Sequence, residues 1–336
     1  MNHILVLVAL LVMTNQALAF NGHKERRLGQ ALFSDLNLSL NRNQSCASCH
    51  SLSRLQVPTE VKTNAFKTKK QPAKGFVDPA NVQNGTAVAN GSIDRTFGQL
   101  NPPSIGYAAF SPTFHFDGEL FIGGQFWNGR AKNLVEQAKQ PFLNPVEMAM
   151  PDKISVIARL KENNSYVHKF NRLYGIDLRQ IQAGDAEVDT AFEAMASAIA
   201  SFERSRLFNK FNSKFDYEAA GITAYNSAEQ RGADLFDGAA QCGACHTTEG
   251  ITGDGSPALL TDFSYDNLGV PANHQIPGMP NSDPGLLGNP HLEVVRGGPS
   301  SIEEVEGRQK VMSLRNIALT APYMHNGVFK TLKEVV

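Results

Sequence analysis

Two copies of the pattern Cys-x-x-Cys-His constrain this chain more than any other feature of its sequence. All four cysteines fall into these copies, which are Cys46-Ala47-Ser48-Cys49-His50 and Cys242-Gly243-Ala244-Cys245-His246. The pattern is the attachment signature of c-type haem, because two thiols one helical turn apart can join two vinyl groups while the adjacent histidine reaches the iron. The sequence therefore predicts two covalent haems, with His50 and His246 as iron ligands.

Other uses of paired cysteines fit this chain less well. A redox dithiol of the thioredoxin type is expected beside a βαβ pattern, which the sequence lacks, and one motif supplies only half of a zinc site. The motif spacing also argues against two disulfides. Similar stretches precede the motifs, namely Gly29-Gln30-Ala31-Leu32-Phe33 and Gly232-Ala233-Asp234-Leu235-Phe236. Each resembles the first helix of a cytochrome c domain, although the intervals from phenylalanine to cysteine differ.

The first residues have the pattern of a secretory signal peptide. An apolar run extends from Ile4 to Met13, and Ala17-Leu18-Ala19 follows as a small-x-small cleavage pattern. A short membrane anchor is the alternative, but the run is well short of the ~20 apolar residues that a spanning helix needs. We expect residues 1–19 to be a signal peptide, and the mature protein to lie in the periplasm without a further membrane span.

Length and composition predict a globular protein of two domains. The chain has 336 residues, which exceeds the roughly 100–200 residues of a usual single core. Hydrophobic residues make up 42%, charged residues 19%, and the net charge is −1, so nothing indicates nucleic-acid binding. We expect a first cytochrome c-like domain at residues 20–215 and a second at 216–336.

Apolar spacing predicts helices and long loops. Helical periodicity marks Leu134–Ala138, Ile154–Lys161 and Asp189–Phe202, with Asp189 as the expected N-cap of the last. Ser227, followed by Glu229, is expected to open the first helix of the second domain. The stretches after each haem motif are rich in Gly, Pro and Asn and predict loops. The expected fold class is all-α, with two cytochrome c-like domains, one covalent haem in each, and long loops.

Further motifs make the sequence similar to a known family. They are Trp127-Asn128-Gly129-Arg130-Ala131, Glu136-Gln137-Ala138 with Pro141, Asn144-Pro145-Val146-Glu147-Met148, Leu314-Arg315-Asn316, and Leu319-Thr320-Ala321-Pro322-Tyr323-Met324-His325-Asn326-Gly327. With the two haem motifs, they resemble the bacterial di-haem cytochrome c peroxidases and the methylamine-utilisation (MauG-type) di-haem enzymes. The resemblance covers nearly all of the mature chain.

The resemblance implies a peroxide-reacting first haem and an electron-transfer second haem. It makes His50 the proximal ligand of the first haem and lines the distal pocket with Gln137, Pro141 and Glu147. Cleaving hydrogen peroxide heterolytically needs a group that takes a proton from one oxygen and returns it to the other, and a carboxyl in a partly apolar pocket can do this. Without the resemblance, Glu147 would be assigned to a helix cap or the surface.

The resemblance also implies roles for two residues outside the haem motifs. Trp127, the only tryptophan, would lie on the electron path between the haems, although an aromatic residue in a core is the alternative. Asn101, with the backbone carbonyls of Thr320 and Pro322, would bind calcium, because a hard cation prefers oxygen ligands.

Two departures from the family pattern matter. Many members have a histidine in the loop after the first motif that blocks the first haem until the second is reduced, whereas this sequence has no histidine between His50 and His115. It therefore resembles the constitutively open members, with His115 as the alternative blocking ligand.

The family's distal ligand to the second haem, methionine or tyrosine, lies beyond Val336, so we expect a fragment, with a naturally short chain as the alternative. Other ligand candidates are Met279, Met312, Met324, His274 and His291, whereas His325 is expected to be structural.

Three functions are candidates for this chain. The first is reduction of hydrogen peroxide with electrons from a small soluble donor, either a cytochrome c or a copper protein (cupredoxin). The second is a MauG-type oxidation of Trp or Tyr side chains in a partner protein. A plain electron carrier is the third, but it has no use for an acid-base group such as Glu147. Association into a homodimer is compatible with each of them.

Overall fold

The computed structural model describes residues 22–52, 87–250, 256–276, 278 and 283–336. In these residues the chain is rich in helix and has few strands, which confirms the expected helical character. The predicted signal peptide and most of the predicted loop after the first haem motif lie outside the described residues. No described helix combines the length and the hydropathy needed to cross a membrane.

The described residues divide into two compact units. The first contains residues up to 48, residues 90–97 and residues 138–205, and the second contains residues 49–89, 98–137 and 206–336, as far as each is described. Each unit therefore draws on separate stretches of chain. The division into haem domains at residues 215 and 216 stays a prediction.

Helices dominate the chain up to residue 205. Helix α1 covers residues 22–33, and it is followed by α2 (Cys46–Cys49), α3 (Leu134–Leu143), α4 (Lys153–Lys161), α5 (Asn164–Tyr174) and α6 (Glu187–Glu203). In the first unit, α6 packs against α4 and α5, and the Phe33 ring on α1 lies 5.4 Å from the Phe202 ring on α6. Fully buried phenylalanines, among them Phe142, Phe170 and Phe192, fill this core.

Local capping sets the ends of these helices. The Asp152 side chain accepts a hydrogen bond from the N–H of Ser155 and starts α4, while Gly175 ends α5 in the left-handed conformation. The expectation that Asp189 caps α6 was wrong, because the helix begins two residues earlier at Glu187. Asp189 instead lies in the first turn, where a negative charge is favourable, and its carboxylate contacts Lys153 at 2.5 Å.

The second unit combines short helices with two small antiparallel ladders. Its helices are α7 (Lys214–Ala219), α8 (Ser227–Asp237), α9 (Leu292–Arg296), α10 (Ile302–Val305) and α11 (Leu332–Val335). Strand β1 (His115–Phe116) pairs with β2 (Phe121–Ile122), and β3 (Tyr265–Asp266) pairs with β4 (Gln309–Lys310). A buried cluster joins the ladders to the helices and consists of Phe114, Phe121, Tyr265, Leu286, Leu292 and Val305.

The predicted start of α8 at Ser227 is confirmed, but the cap is the preceding residue. The Asn226 side chain accepts hydrogen bonds from the N–H groups of Ala228 and Glu229, and the Glu229 carboxylate accepts one from the Asn226 N–H. This reciprocal capping box satisfies donors that a helix start leaves open. Short 3-10 turns occur at Leu36–Leu38, Ala108–Phe110, Leu178–Gln180, Cys242–Ala244, Leu286–Gly288 and Ile317–Leu319.

Candidate functional site

The first haem motif forms a single helical turn. Cys46 and Cys49 begin and end α2, and both are half-buried. The turn is fixed at its start, because the Ser45 N–H donates to the Ser48 hydroxyl at 3.0 Å. Two thiols three residues apart on one turn lie on the same face, as attachment to two vinyl groups requires. The local geometry of the motif therefore fits a covalent haem.

The second haem motif orients its histidine. Cys242 opens a 3-10 turn, and His246 Nδ1 lies 3.0 Å from the carbonyl oxygen of Leu260. A carbonyl can only accept, so Nδ1 carries the proton and Nε2 keeps its lone pair for a metal. Burial lowers the pKa of His246, which favours the neutral ring that binds iron. The Asp262 N–H donates to the Cys245 carbonyl at 2.9 Å and ties the supporting loop to the motif.

Helix α3 and the turn after it carry the predicted distal-pocket residues. Gln137 and Pro141 lie one turn apart on α3, which continues through the proline to Leu143. The chain then folds back, so that the Met148 N–H donates to the Pro141 carbonyl at 3.1 Å. This reversal brings Glu147 close to Pro141. Whether Gln137, Pro141 and Glu147 line a pocket over the first haem stays a prediction.

The Glu147 carboxylate is oriented by Asn144, a residue of the same motif for which the sequence predicted no role. Asn144 Nδ2 donates to Glu147 Oε1 at 2.7 Å, while Asn144 Oδ1 accepts from the Val146 N–H at 3.2 Å. The Glu147 carbonyl accepts from the Ser92 N–H at 2.6 Å. The signal in the sequence was the Asn-Pro pair three residues before the glutamate, since asparagine before proline favours a turn with side-chain hydrogen bonds.

Trp127 and two of the predicted calcium ligands, Asn101 and Pro322, form one cluster in the second unit. Trp127 Nε1 donates to the Asn101 carbonyl at 2.9 Å, and the Asn101 N–H donates to the His325 carbonyl at 2.8 Å. The Asn101 amide nitrogen also lies 2.7 Å from the Pro322 carbonyl oxygen. The structure thus brings Asn101 and Pro322 together, and Thr320 precedes Pro322 by two residues. Their binding of calcium stays a prediction.

His325 packs beside Trp127 and is largely buried. Its ring centre lies 6.4 Å from that of Trp127 in an edge-on arrangement, and the residue is 8% exposed. Burial lowers the pKa of His325. A structural role for His325 stays a prediction.

The other ligand candidates are spread over different elements. His115 lies exposed on β1 with Nδ1 at 2.8 Å from the Thr113 carbonyl, and His274 is exposed. His291 precedes α9, while Met312 and Met324 are half-buried. Met279 lies outside the described residues. None of these observations tests a ligand role.

Comparison with known proteins places the chain among di-haem enzymes. The family model described as di-haem cytochrome c peroxidase matches residues 23–224. MauG, the methylamine utilization protein of Paracoccus denitrificans, is 38% identical over 92% of this chain and 72% of its own length. The cytochrome c peroxidase Ccp of Escherichia coli is 30% identical over 92% of this chain, which spans 51% of that protein.

A solved structure gives the same assignment. The di-haem peroxidase BthA of Burkholderia thailandensis superposes with a TM-score of 0.76 and 26% identity, covering 93% of this chain and 70% of BthA. Fold similarity and sequence identity agree over nearly the whole chain. The chain belongs to the di-haem cytochrome c peroxidase family of oxidoreductases.

Proposed function

We propose that this protein is a periplasmic di-haem peroxidase that reduces hydrogen peroxide to water. The reaction consumes two electrons and two protons for each peroxide, and a small redox protein, a cytochrome c or a cupredoxin, supplies the electrons. The observation that carries the proposal is the Glu147 carboxylate, held by Asn144 directly after α3. A fixed carboxyl suits proton transfer between the two oxygens of peroxide, whereas a plain electron carrier does not need one.

The residues of each motif would hold one covalent haem. Cys46, Cys49 and His50 would bind the first haem, and Cys242, Cys245 and His246 the second. When bound, haem supplies the electron-transfer and peroxide-reducing chemistry. His246 would present a neutral Nε2 to the iron, because its Nδ1 proton is held by the Leu260 carbonyl. Trp127 would lie on the electron path.

A bound calcium ion would join the cluster around Trp127. Asn101 would contribute its side-chain oxygen, and Thr320 and Pro322 their carbonyls. The Asn101 amide already faces the Pro322 carbonyl, and a half-turn of this amide would exchange its nitrogen for its oxygen. Because the Asn101 carbonyl also accepts from the Trp127 indole, the ion would fix the position of the tryptophan.

The first test replaces Glu147 with glutamine. Glu147→Gln keeps the shape of the side chain and removes the proton acceptor, so we expect haem content to be unchanged and peroxide turnover to fall by ~10²–10⁴-fold. Glu193→Gln is the matched control, because it removes a surface carboxylate of the same unit that pairs with Lys139. Activities are compared at equal haem content. Near-full turnover in Glu147→Gln would contradict the proposal.

A MauG-type activity is the second candidate. It is favoured by the 38% identity to MauG, which exceeds the 30% identity to the E. coli peroxidase. In this role the oxidised protein would withdraw electrons from Trp or Tyr side chains of a partner protein. The two functions are distinguished by supplying peroxide with a reduced cytochrome c or cupredoxin, and measuring donor oxidation. Rapid donor turnover supports the peroxidase. Its absence favours protein oxidation if the haem is intact and Glu147-dependent peroxide consumption requires an added protein whose Trp or Tyr side chains supply the two electrons.

A further inference from the structure

Lys310 is a buried cation in the second unit. Its side chain lies on β4 and the residue is 6% exposed. Nζ donates to the Ser111 hydroxyl at 2.6 Å and to the Gly124 carbonyl, and it lies 5.1 Å from the centre of the Phe263 ring. These partners are neutral, and no carboxylate in the described part of the chain forms an ion pair with this lysine.

Such a group is costly for the fold. Removing an ammonium ion from water without a counter-charge opposes folding, and buried charges are usually paired. The cost is visible in its acidity, because burial lowers the pKa of Lys310 to about 7. An apolar residue of similar length could fill the same space without this cost. The charge therefore requires an explanation beyond packing.

The backbone of Lys310 connects the predicted electron path to the second haem motif. The Lys310 N–H donates to the Trp127 carbonyl at 2.7 Å. The carbonyl of the next residue, Val311, accepts a hydrogen bond from the Thr261 hydroxyl at 2.6 Å. Thr261 directly follows Leu260, whose carbonyl holds His246 Nδ1. One short segment thus contacts Trp127 on one side and supports the iron-binding histidine on the other.

The Lys310 side chain is tied to the same loop. Phe263, whose ring lies under Nζ, donates its N–H to the Thr261 hydroxyl at 2.8 Å. The Phe263 carbonyl accepts from the Gly123 N–H at 2.9 Å, next to the Gly124 carbonyl that binds the lysine. The ammonium group is thereby fixed in position relative to the loop that carries the His246 support.

We propose that Lys310 is a positioning residue for electron transfer, whose buried charge makes the redox centre at His246 easier to reduce. The proposal rests on the proposed function, in which the second motif holds an electron-transfer haem. A positive charge stabilises the state that has gained an electron, and the effect is larger in a protein interior than in water. Burial and nearby charges are among the factors that set haem reduction potentials.

The test compares variants that separate charge from packing. Lys310→Met removes the charge and keeps a long apolar side chain, Lys310→Arg keeps the charge, and Ser111→Ala removes one hydrogen bond without changing charge. Reduction potentials of both haems are measured spectroelectrochemically in the purified di-haem proteins at pH 6. We expect Lys310→Met to lower the potential of the second haem by about 59 mV or more, a tenfold change in a one-electron equilibrium. Lys310→Arg and Ser111→Ala are expected to remain close to the wild type.

Two outcomes would overturn the proposal. One is an unchanged potential in Lys310→Met, and the other is an equal shift in Lys310→Met and Lys310→Arg, which would assign the effect to packing. If Lys310→Met does not accumulate, Lys310→Gln removes the charge while keeping a hydrogen-bond donor, and the same comparison applies. A haem assay separates this result from a failure of the proposed function. Protein with one haem contradicts the proposed function, whereas protein with two haems and unchanged potentials contradicts only the role of Lys310.

Discussion

In the proposed function, Glu147 and Asn144 act as one unit. The Asn144 amide holds one carboxylate oxygen of Glu147 and at the same time accepts from the Val146 N–H, which fixes the amide itself. We expect Asn144→Ala to reduce peroxide turnover less than Glu147→Gln, because the carboxylate remains but loses its orientation. The double variant should be no slower than Glu147→Gln alone, since the asparagine acts through the carboxylate. Steady-state peroxide turnover is measured in the wild type, the two single variants and the double variant. Losses of turnover that add in the double variant would show that Asn144 acts independently.

Gly129, in the Trp127 motif, has a steric reason for being glycine. Its φ is +69°, and an added Cβ would lie 2.1 Å from the Tyr265 hydroxyl oxygen. Gly175 has nearly the same φ of +70° but open space around it, which makes it a matched control. We expect Gly175→Ala to cost about 1 kcal/mol from backbone strain alone. Gly129→Ala should cost more because of the clash, and Tyr265→Phe should recover part of the difference. Thermal unfolding of the haem-loaded proteins measures the stability lost in each variant. Equal losses of stability in Gly129→Ala and Gly175→Ala would refute the clash.

At the scale of residues, sequence motifs predicted which residues could bind haem better than they predicted the hydrogen-bond partners of those residues. The spacing of Cys242, Cys245 and His246 predicted a haem-binding turn, and the structure has a local geometry that fits it. No pattern indicated that the Leu260 carbonyl would hold His246 or that Lys310 would be buried. Such contacts join positions far apart in the chain and depend on tertiary packing, which short-range spacing does not encode.

At the scale of elements, the two repeated stretches before the haem motifs differ in packing. An added Cβ on Gly29 of α1 would lie 1.8 Å from the Ala198 carbonyl oxygen of α6, whereas no described atom lies within 4 Å of the same position on Gly232 of α8. We expect Gly29→Ala to destabilise the protein by about 1–3 kcal/mol, because the helices would have to separate. Gly232→Ala should be neutral or stabilise by up to about 1 kcal/mol, since alanine favours a helix. Thermal unfolding of both variants tests the difference, and equal effects would contradict it.

Glu203, the last residue of α6, is expected to make the stability of the protein depend on pH. Glu203 is 4% exposed, and burial raises its pKa to about 8 despite the opposing effect of Arg204. Between pH 4.5 and 8 the unfolded chain has lost this proton while the folded protein keeps it, so stability falls as the pH rises, by up to about 1.4 kcal/mol per pH unit. Glu203→Gln should remove this component, and its stability relative to the wild type should increase from pH 5 to 8. Parallel pH profiles of the unfolding temperature would rule out a protonated Glu203.

Helix existence was easier to predict than helix ends. The periodic stretches around Leu134, Ile154 and Asp189 became α3, α4 and α6. Apolar spacing predicted no helix at α5, although Asn163 and Gly175 provide a start and a stop signal. It also extended neither α3 through Pro141 nor α6 back to Glu187. The start of α6 has no side-chain cap, and helix ends of this kind are set by backbone hydrogen bonding that the apolar pattern does not encode.

At the scale of the whole molecule, haem content tests both motifs together. We expect the mature protein to carry two haems that remain attached on denaturation, because each motif can form two thioethers. Replacing Cys242 and Cys245 with serine should leave one covalent haem, and the corresponding change at Cys46 and Cys49 should do the same. Intact mass and haem-stained denaturing gels provide the measurement. A single haem in the unaltered protein would contradict the assignment of one haem to each motif.

The oxidised resting state of the whole protein depends on whether a histidine closes the first haem. Because the sequence has no histidine between His50 and His115, no histidine in that interval can close the first haem. His115 itself is exposed on β1, and its Nδ1 contacts the Thr113 carbonyl at 2.8 Å. We therefore expect the fully oxidised protein to show a high-spin haem and to react with peroxide without prior reduction. Absorption and electron paramagnetic resonance spectra, followed by rapid mixing with peroxide, test this in the wild type and in His115→Ala, which should behave alike. Low-spin spectra and a requirement for one-electron reduction, both relieved in His115→Ala, would identify His115 as the blocking ligand instead.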